Sequence, residues 1–159
     1  AVMMFQAESY RCSQCGAQLE DGITCRERFE NCLALEYAHP QAFGAAHFLL
    51  VGCYMLQHNE YSREVWREMR QLIRRYLNGE TSTEQILRQN KTRLDSGKRE
   101  FHITRGEKLR EFSEISWSGT IQDVRLDTPD RYVADVIRWA GRVMADTAFL
   151  FQRKNDHDH

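Results

Sequence analysis

Two thiols separated by two residues, Cys12-Ser-Gln-Cys15, then Gly16 and later Cys25, restrict this chain more than any other feature of it. A Cys-x-x-Cys turn that ends in glycine has the bite of one half of a tetrahedral metal site, and its sulfur donors suit zinc. The loop behind it, Gly16-Ala-Gln-Leu-Glu-Asp-Gly22, offers little apolar surface of its own. An ion tying that loop to the rest of the chain would supply the order that the loop cannot generate itself.

Elsewhere the pattern is helical. The chain has 159 residues, 42% of them hydrophobic, and its 2 prolines, Pro40 and Pro129, leave long helices permitted nearly everywhere. One compact domain with a sizeable core is expected from that length. Thr24 with Glu27 forms a capping box that opens a helix reaching about Ala38, and His39-Pro40 ends it because the residue before proline avoids the helical region. A second helix, from about Gln41 to Gln57, is apolar nearly all round and so belongs at the centre. Ser62 caps a third over 62–78, with Gly79 as its stop. Weaker signals place a fourth over 83–94. Thr128-Pro129 then starts a last helix over 129–152, with apolar residues recurring from Val133 to Leu150.

Between these, Phe101 to Thr104 alternates as a short strand or extended loop, and Trp117-Ser-Gly119 reads as a turn with an aromatic plug. The expected fold is mostly α, an irregular bundle of four to five helices with an N-terminal zinc-binding cysteine turn. Residues 10–153 form the single domain, comprising a cysteine turn over 10–25, a helical hairpin over 24–58 and the later helices. Residues 1–9 read as a disordered or start-site remnant and 154–159 as a polar tail.

Composition removes several classes. No segment approaches the roughly 20 apolar residues of a membrane span, and the longest, Phe43 to Leu56, contains His47. Ala1 to Phe5 lacks the basic flank of a signal peptide. The 5 cysteines therefore read as reduced thiols or metal ligands in a cytoplasmic protein. The formal net charge of −1 is unevenly spread: 13 of the 22 Lys/Arg but only 7 of the 23 Asp/Glu lie between Arg63 and Arg110.

Helical geometry narrows the ligand set. A hairpin folded at Pro40 places Cys25 roughly opposite Tyr54, with His58 about one turn beyond, and Cys32 opposite His47. The two histidines are separated by ~16 Å along the helix axis, so they do not share an ion. Cys12, Cys15, Cys25 and His58 make the best site, a closed and structural Cys3His tetrahedron, with His47 as the alternative fourth ligand and His102 a remote third. Cys25, near a helix N-terminus, favours the thiolate form. Against this stand unliganded thiols, with His58 merely capping a helix end. His47 equally suits a hydrogen-bonded core histidine, and Cys32 and Cys53 suit small core residues. Glu30 and Glu36 do not share a face, so no acid/base pair is indicated and no catalytic residue is assigned.

Several pieces of the chain, in order, resemble one bacterial family, the domain of unknown function 5946. They are Cys12-x-x-Cys15-Gly16, Cys25, Ala34-x-Glu36-Tyr37, His47-x-Leu49-x-Val51, Tyr54-x-x-Gln57-His58, Trp117, Gly119-Thr120, Asp123-Val124 and Trp139-Ala140. The family pattern differs from this chain in having an aspartate where Gly52 stands, a tryptophan at Arg26, an acidic residue at Cys32 and a proline at Asn59. The resemblance implies no activity, because the family has no assigned role.

Four functions compete. A zinc-stabilised helical binding module, able to self-associate into a homo-oligomer, needs only the closed site. A metal-dependent enzyme needs an open zinc position near His47 or His58, with His47, Tyr54, Glu36 and Trp117 around a pocket. Thiol redox chemistry at Cys12 and Cys15 lacks the preceding strand that such pairs use. Nucleic-acid binding would run along Arg63, Arg67, Arg70 and Arg74, a stripe read as lying opposite the apolar face of the third helix, continued by Lys91, Arg93, Lys98 and Arg99.

Overall fold

The computed structural model describes residues 11–88 and 104–157. Four α-helices form its frame: α1 (Cys25–Ala38), α2 (His47–Gln57), α3 (Arg63–Leu77) and α4 (Pro129–His157). Short 3-10 turns lie at Glu20–Gly22, Gly44–Ala46, Arg110–Glu114 and Ile121–Asp123, and a further helical stretch begins at 83 and is described to 88. Among the described residues there is no strand. The mostly helical bundle expected from the sequence is the architecture observed.

Central position falls to α2, which packs against both α3 and α4. Leu49, Leu50, Cys53 and Leu56 on it are buried, facing a core that includes Trp66, Ile73, Val136, Trp139 and Val143. Each such large apolar side chain contributes about 1.5–3 kcal/mol on leaving water. The end of α2 is closed by a side chain: Trp66 Nε1 donates to the Leu56 carbonyl at 3.1 Å, satisfying one of the acceptors that every helix leaves free at its C-terminus. Cys32 and Cys53 are fully buried core residues, as expected of small apolar side chains. Burial pushes the Cys32 thiol up to about 11, so it is inert at neutral pH.

The local signals for helix ends hold. Thr24 accepts from the Glu27 backbone while the Glu27 side chain bonds the Thr24 backbone, the full capping box. At the start of α4 the Arg131 N–H donates to Thr128 Oγ1 at 3.3 Å. Three boundaries differ from expectation. The second helix starts at His47, not Gln41, because 40–43 makes a turn followed by the 3-10 turn Gly44–Ala46, and Ala46 offers no capping side chain. Ser62 stands at the N-cap of α3, yet its side chain makes no capping bond. Helix α4 runs on to His157, through most of the stretch read as a polar tail. The possible strand from Phe101, residues 89–94 of the fourth helix and His102 lie outside the described residues, as do residues 1–9.

Candidate metal centre

The cysteine turn is built by its own backbone. The Gly16 N–H donates to the Cys12 carbonyl and the Cys12 N–H to the Ala17 carbonyl, both at 2.9 Å. Gly16 sits at φ +84°, a left-handed conformation that glycine adopts without penalty. In this turn the Cys15 N–H points at Cys12 Sγ, 3.5 Å away, a donor placed to stabilise a thiolate. The turn then docks on the end of α2, where Gln14 Nε2 donates to the His58 carbonyl at 2.9 Å. Thus a side chain between the two cysteines fixes the turn beside the histidine.

Cys25 is the first residue of α1, and His58 directly follows α2. Antiparallel packing of this hairpin brings those two ends together. Cys12, Cys15, Cys25 and His58 are 7%, 4%, 3% and 7% exposed, and one ligand atom from each lies within 4.8 Å of all the others. Cys15 Sγ is 3.6 Å from Cys25 Sγ, and Cys12 Sγ is 3.6 Å from His58 Nε2. A tetrahedron with zinc–sulfur bonds of ~2.3 Å and a zinc–nitrogen bond of ~2.0 Å has edges of about 3.8 Å between sulfurs and about 3.5 Å between sulfur and nitrogen. The donor set and its spacing fit a metal ion.

The histidine is oriented for this role. His58 Nδ1 donates to the Tyr54 carbonyl at 2.7 Å, which leaves Nε2 directed at the sulfurs. Such a bond on the far nitrogen is how a ligating imidazole is usually held. The ring also stacks on Tyr54 at 4.2 Å between centroids, and Tyr54 stacks on Phe29 at 4.0 Å.

Without an ion, electrostatics favour the ligating form at Cys15 alone; Cys25 is held as the thiol, against the thiolate expected from its place at a helix N-terminus, and His58 as the imidazolium. Hydrogen bonding to Cys25 lowers the Cys15 thiol to about 4 against the opposing effect of burial, with His58 assisting. Cys25 is pushed upward by that same bond and by burial. Burial alone would lower the His58 imidazole, but its bonds to Cys15 and to the Tyr54 carbonyl raise it to about 9. The direction of these shifts is towards a Cys15 thiolate beside a protonated His58 and a Cys25 thiol. A metal ion would take the place of those protons.

His47 belongs elsewhere. Its Nδ1 lies 2.7 Å from Glu36 Oε1, at the opposite end of the hairpin. Glu36 is buried at 5% exposure and also accepts from the Tyr132 hydroxyl on α4. Charge alone does not single out this carboxylate in the sequence. Its spacing does: Cys25, Cys32 and Glu36 are separated by seven and four positions, one helical stripe, and they are the buried residues of α1. The group of His47, Tyr54, Glu36 and Trp117 imagined around a pocket does not converge, since Tyr54 stacks at the sulfur end while Trp117 packs against Phe112.

The arginine stripe of α3 also departs from expectation. At ~100° per residue, Arg63, Arg67, Arg70 and Arg74 centre about 80° from the buried Trp66 and Ile73, to the side of that buried edge instead of opposite it. Arg70 is buried, donating to Thr147 Oγ1 at 2.9 Å and to the Met144 carbonyl at 2.8 Å. Its guanidinium lies 4.5 Å from the Phe151 ring centre. Arg67 faces Glu111 at 3.7 Å and Arg63 faces Glu107 at 4.0 Å, while Arg74 donates to Gln71. The other basic residues named with the stripe, at 91, 93, 98 and 99, lie outside the described residues.

No helix among the described residues is long and apolar enough to cross a membrane. A family model described as "Family of unknown function (DUF5946)" matches residues 10–148. Neither the curated proteins nor the solved structures contain a match to the chain.

Proposed function

The chain belongs to the family of unknown function DUF5946, and from that premise we propose that it is a helical interaction module held together by a closed, structural zinc site. Cys12, Cys15, Cys25 and His58 would hold the ion. The observation that carries this reading is the convergence of three sulfurs and one imidazole nitrogen, all buried, within 4.8 Å of one another. Soft thiolate donors with one imidazole select zinc over magnesium or calcium, which take oxygen ligands. When bound, the ion supplies a crosslink between the segment 11–24 and the far end of the α1–α2 hairpin.

A structural role is favoured over a catalytic one by the ligand count. Four protein donors complete a tetrahedral shell, whereas a catalytic zinc keeps one position for water or substrate. The nearest aromatic neighbours, Tyr54 and Phe29, form a stacked cover on the histidine. Function then resides on the outer faces that the crosslink keeps in place.

Elemental analysis of untagged protein, coupled to chelation, tests the proposal. One zinc per chain is expected, and its removal should abolish protection from hydrogen exchange over 11–24 while α3 and α4 retain theirs. Absence of any bound metal, or full retention of that protection after stripping, would contradict it. A zinc-bound water that exchanges with a small inhibitory anion would move the reading to an enzyme.

A further inference from the structure

A cavity of about 350 Å³ lies away from the sulfur cluster, lined by Ser118, Asp123, Arg125, Asp135, Arg138, Trp139 and Arg142. Four of these, at positions 135, 138, 139 and 142, share one face of α4 by their spacing of three and four. The opposite wall is the loop that carries Ser118 to Arg125. Three guanidiniums and two carboxylates line the space, so it carries a surplus of positive charge.

The arrangement of partners is uneven in an informative way. Buried Asp135 takes two of the arginines: Arg125 donates through Nε at 2.9 Å and NH2 at 3.2 Å, and Arg138 through NH1 at 2.9 Å. Asp123 accepts from the Thr120 backbone at 3.1 Å. The remaining acid within reach along the helix is Asp146, one turn after Arg142. Both of its oxygens are engaged by Ser118, whose N–H donates at 2.7 Å and whose hydroxyl lies 3.0 Å from each oxygen. Arg142 therefore has no hydrogen-bond or ion-pair partner among the described residues. It also stands one turn from Arg138, a like-charge pair that is unfavourable on a helix surface.

Arg142 is nonetheless positioned. A Cβ built on Gly119 would lie 2.6 Å from Arg142 Cδ and 3.3 Å from its Cβ, so the arginine stem lies across that glycine. The glycine is fixed in turn, because buried Gln57 donates to its carbonyl at 2.7 Å and accepts from Trp139 Nε1 at 3.1 Å. A guanidinium with a located stem, no partner and a second guanidinium one turn away is arranged for an incoming oxyanion.

We propose that this cavity binds a small phosphate-bearing molecule, with Arg142 as the primary contact and the Asp135-anchored Arg125 and Arg138 completing a positive wall. The planar guanidinium fork matches two oxygens of one phosphate. The volume lies in the range of small-ligand sites and exceeds what a lone inorganic ion fills. Asp123 and Asp135 on the lining oppose a continuous polyanion, which favours a discrete small molecule over a nucleic-acid backbone. The proposal is independent of the metal reading, since none of these residues belongs to the sulfur cluster.

Titration of the metal-replete full chain with inorganic phosphate and with phenyl phosphate tests it, by calorimetry and thermal shift at ionic strength matched with sodium chloride. Saturable binding is expected, tighter for phenyl phosphate. The exposed substitution Arg142→Gln should weaken it at least tenfold with an unchanged circular dichroism spectrum, and Arg142→Lys should restore only part. Gly119→Ala, which displaces the arginine stem without removing charge, should also weaken it, whereas Arg74→Gln, outside the cavity, should not. Lack of saturable binding by both probes, or equal binding by the Arg142→Gln chain, overturns the proposal. A short single-stranded oligonucleotide that competes as well per phosphate as phenyl phosphate overturns the small-molecule assignment.

Discussion

The two ends of the α1–α2 hairpin each gather a histidine with polar partners, yet their chemistry differs. At one end His58 meets three thiols, with every member buried and no carboxylate in the group. At the other, His47 meets the carboxylate of Glu36, which also accepts from Tyr132, and the His47 side chain remains 61% exposed. The first set leaves an imidazole nitrogen and three sulfurs directed at one point. The second ties His47 Nδ1 to Glu36 and brings no thiol beside the imidazole. Residue type alone does not make a ligand; what matters is whether other donors converge on the same point.

The largest way to break this contrast is at the sulfur end. Cys25→Ser should abolish stoichiometric zinc and lower unfolding free energy by more than ~4 kcal/mol, because loss of a structural metal removes folding energy outright. Denaturation of zinc-loaded protein measures it, and a variant of near-native stability would remove the ion's structural role. Next in size, His58→Gln should weaken zinc affinity by orders of magnitude, read by competition with a chromophoric chelator. His47→Gln in the same assay should leave affinity unchanged. Reversal of that pair would exchange the two ends.

At the other end, Glu36→Ala should cost about 2–3 kcal/mol by leaving the buried Tyr132 hydroxyl unpaired and opening a small cavity. Its zinc content should stay at the native level, which separates the two clusters experimentally. The smallest effect concerns pH. The hydrogen bond to Glu36 raises the His47 pKa, with burial opposing it. A raised folded-state value means that the pair's contribution is complete below the unfolded value of about 6.5 and fades as pH rises through the folded one. With so exposed an imidazole this amounts to at most a few tenths of a kcal/mol. A His47→Gln chain should lose that slope in denaturation curves taken across this window.

Much of this was legible in the sequence because its signals are local. Thr24 with Glu27, Pro40 after His39, and Thr128 before Pro129 each act within one turn of backbone, so they mark helix ends without reference to the rest of the fold. The convergence of Cys12, Cys15, Cys25 and His58 followed from the hairpin, whose geometry is set by one short connection. Long-range pairing was not legible. Glu36 and Tyr132 are 96 positions apart, and nothing near either residue announces the other. Arg70 looked like surface because its sheath, Thr147, Met144 and Phe151, comes from a helix more than seventy positions away. The cavity on α4 was hidden for the same reason, since its arginines are apportioned only when Asp135 and Asp146 choose their partners.

X-ray absorption at the zinc edge, on protein purified without an affinity tag, tests the closed site most directly. The account predicts three sulfur scatterers at ~2.3 Å and one imidazole nitrogen at ~2.0 Å around a single ion. A shell with fewer than three sulfurs, with a coordinated water, or with no zinc to measure would contradict it.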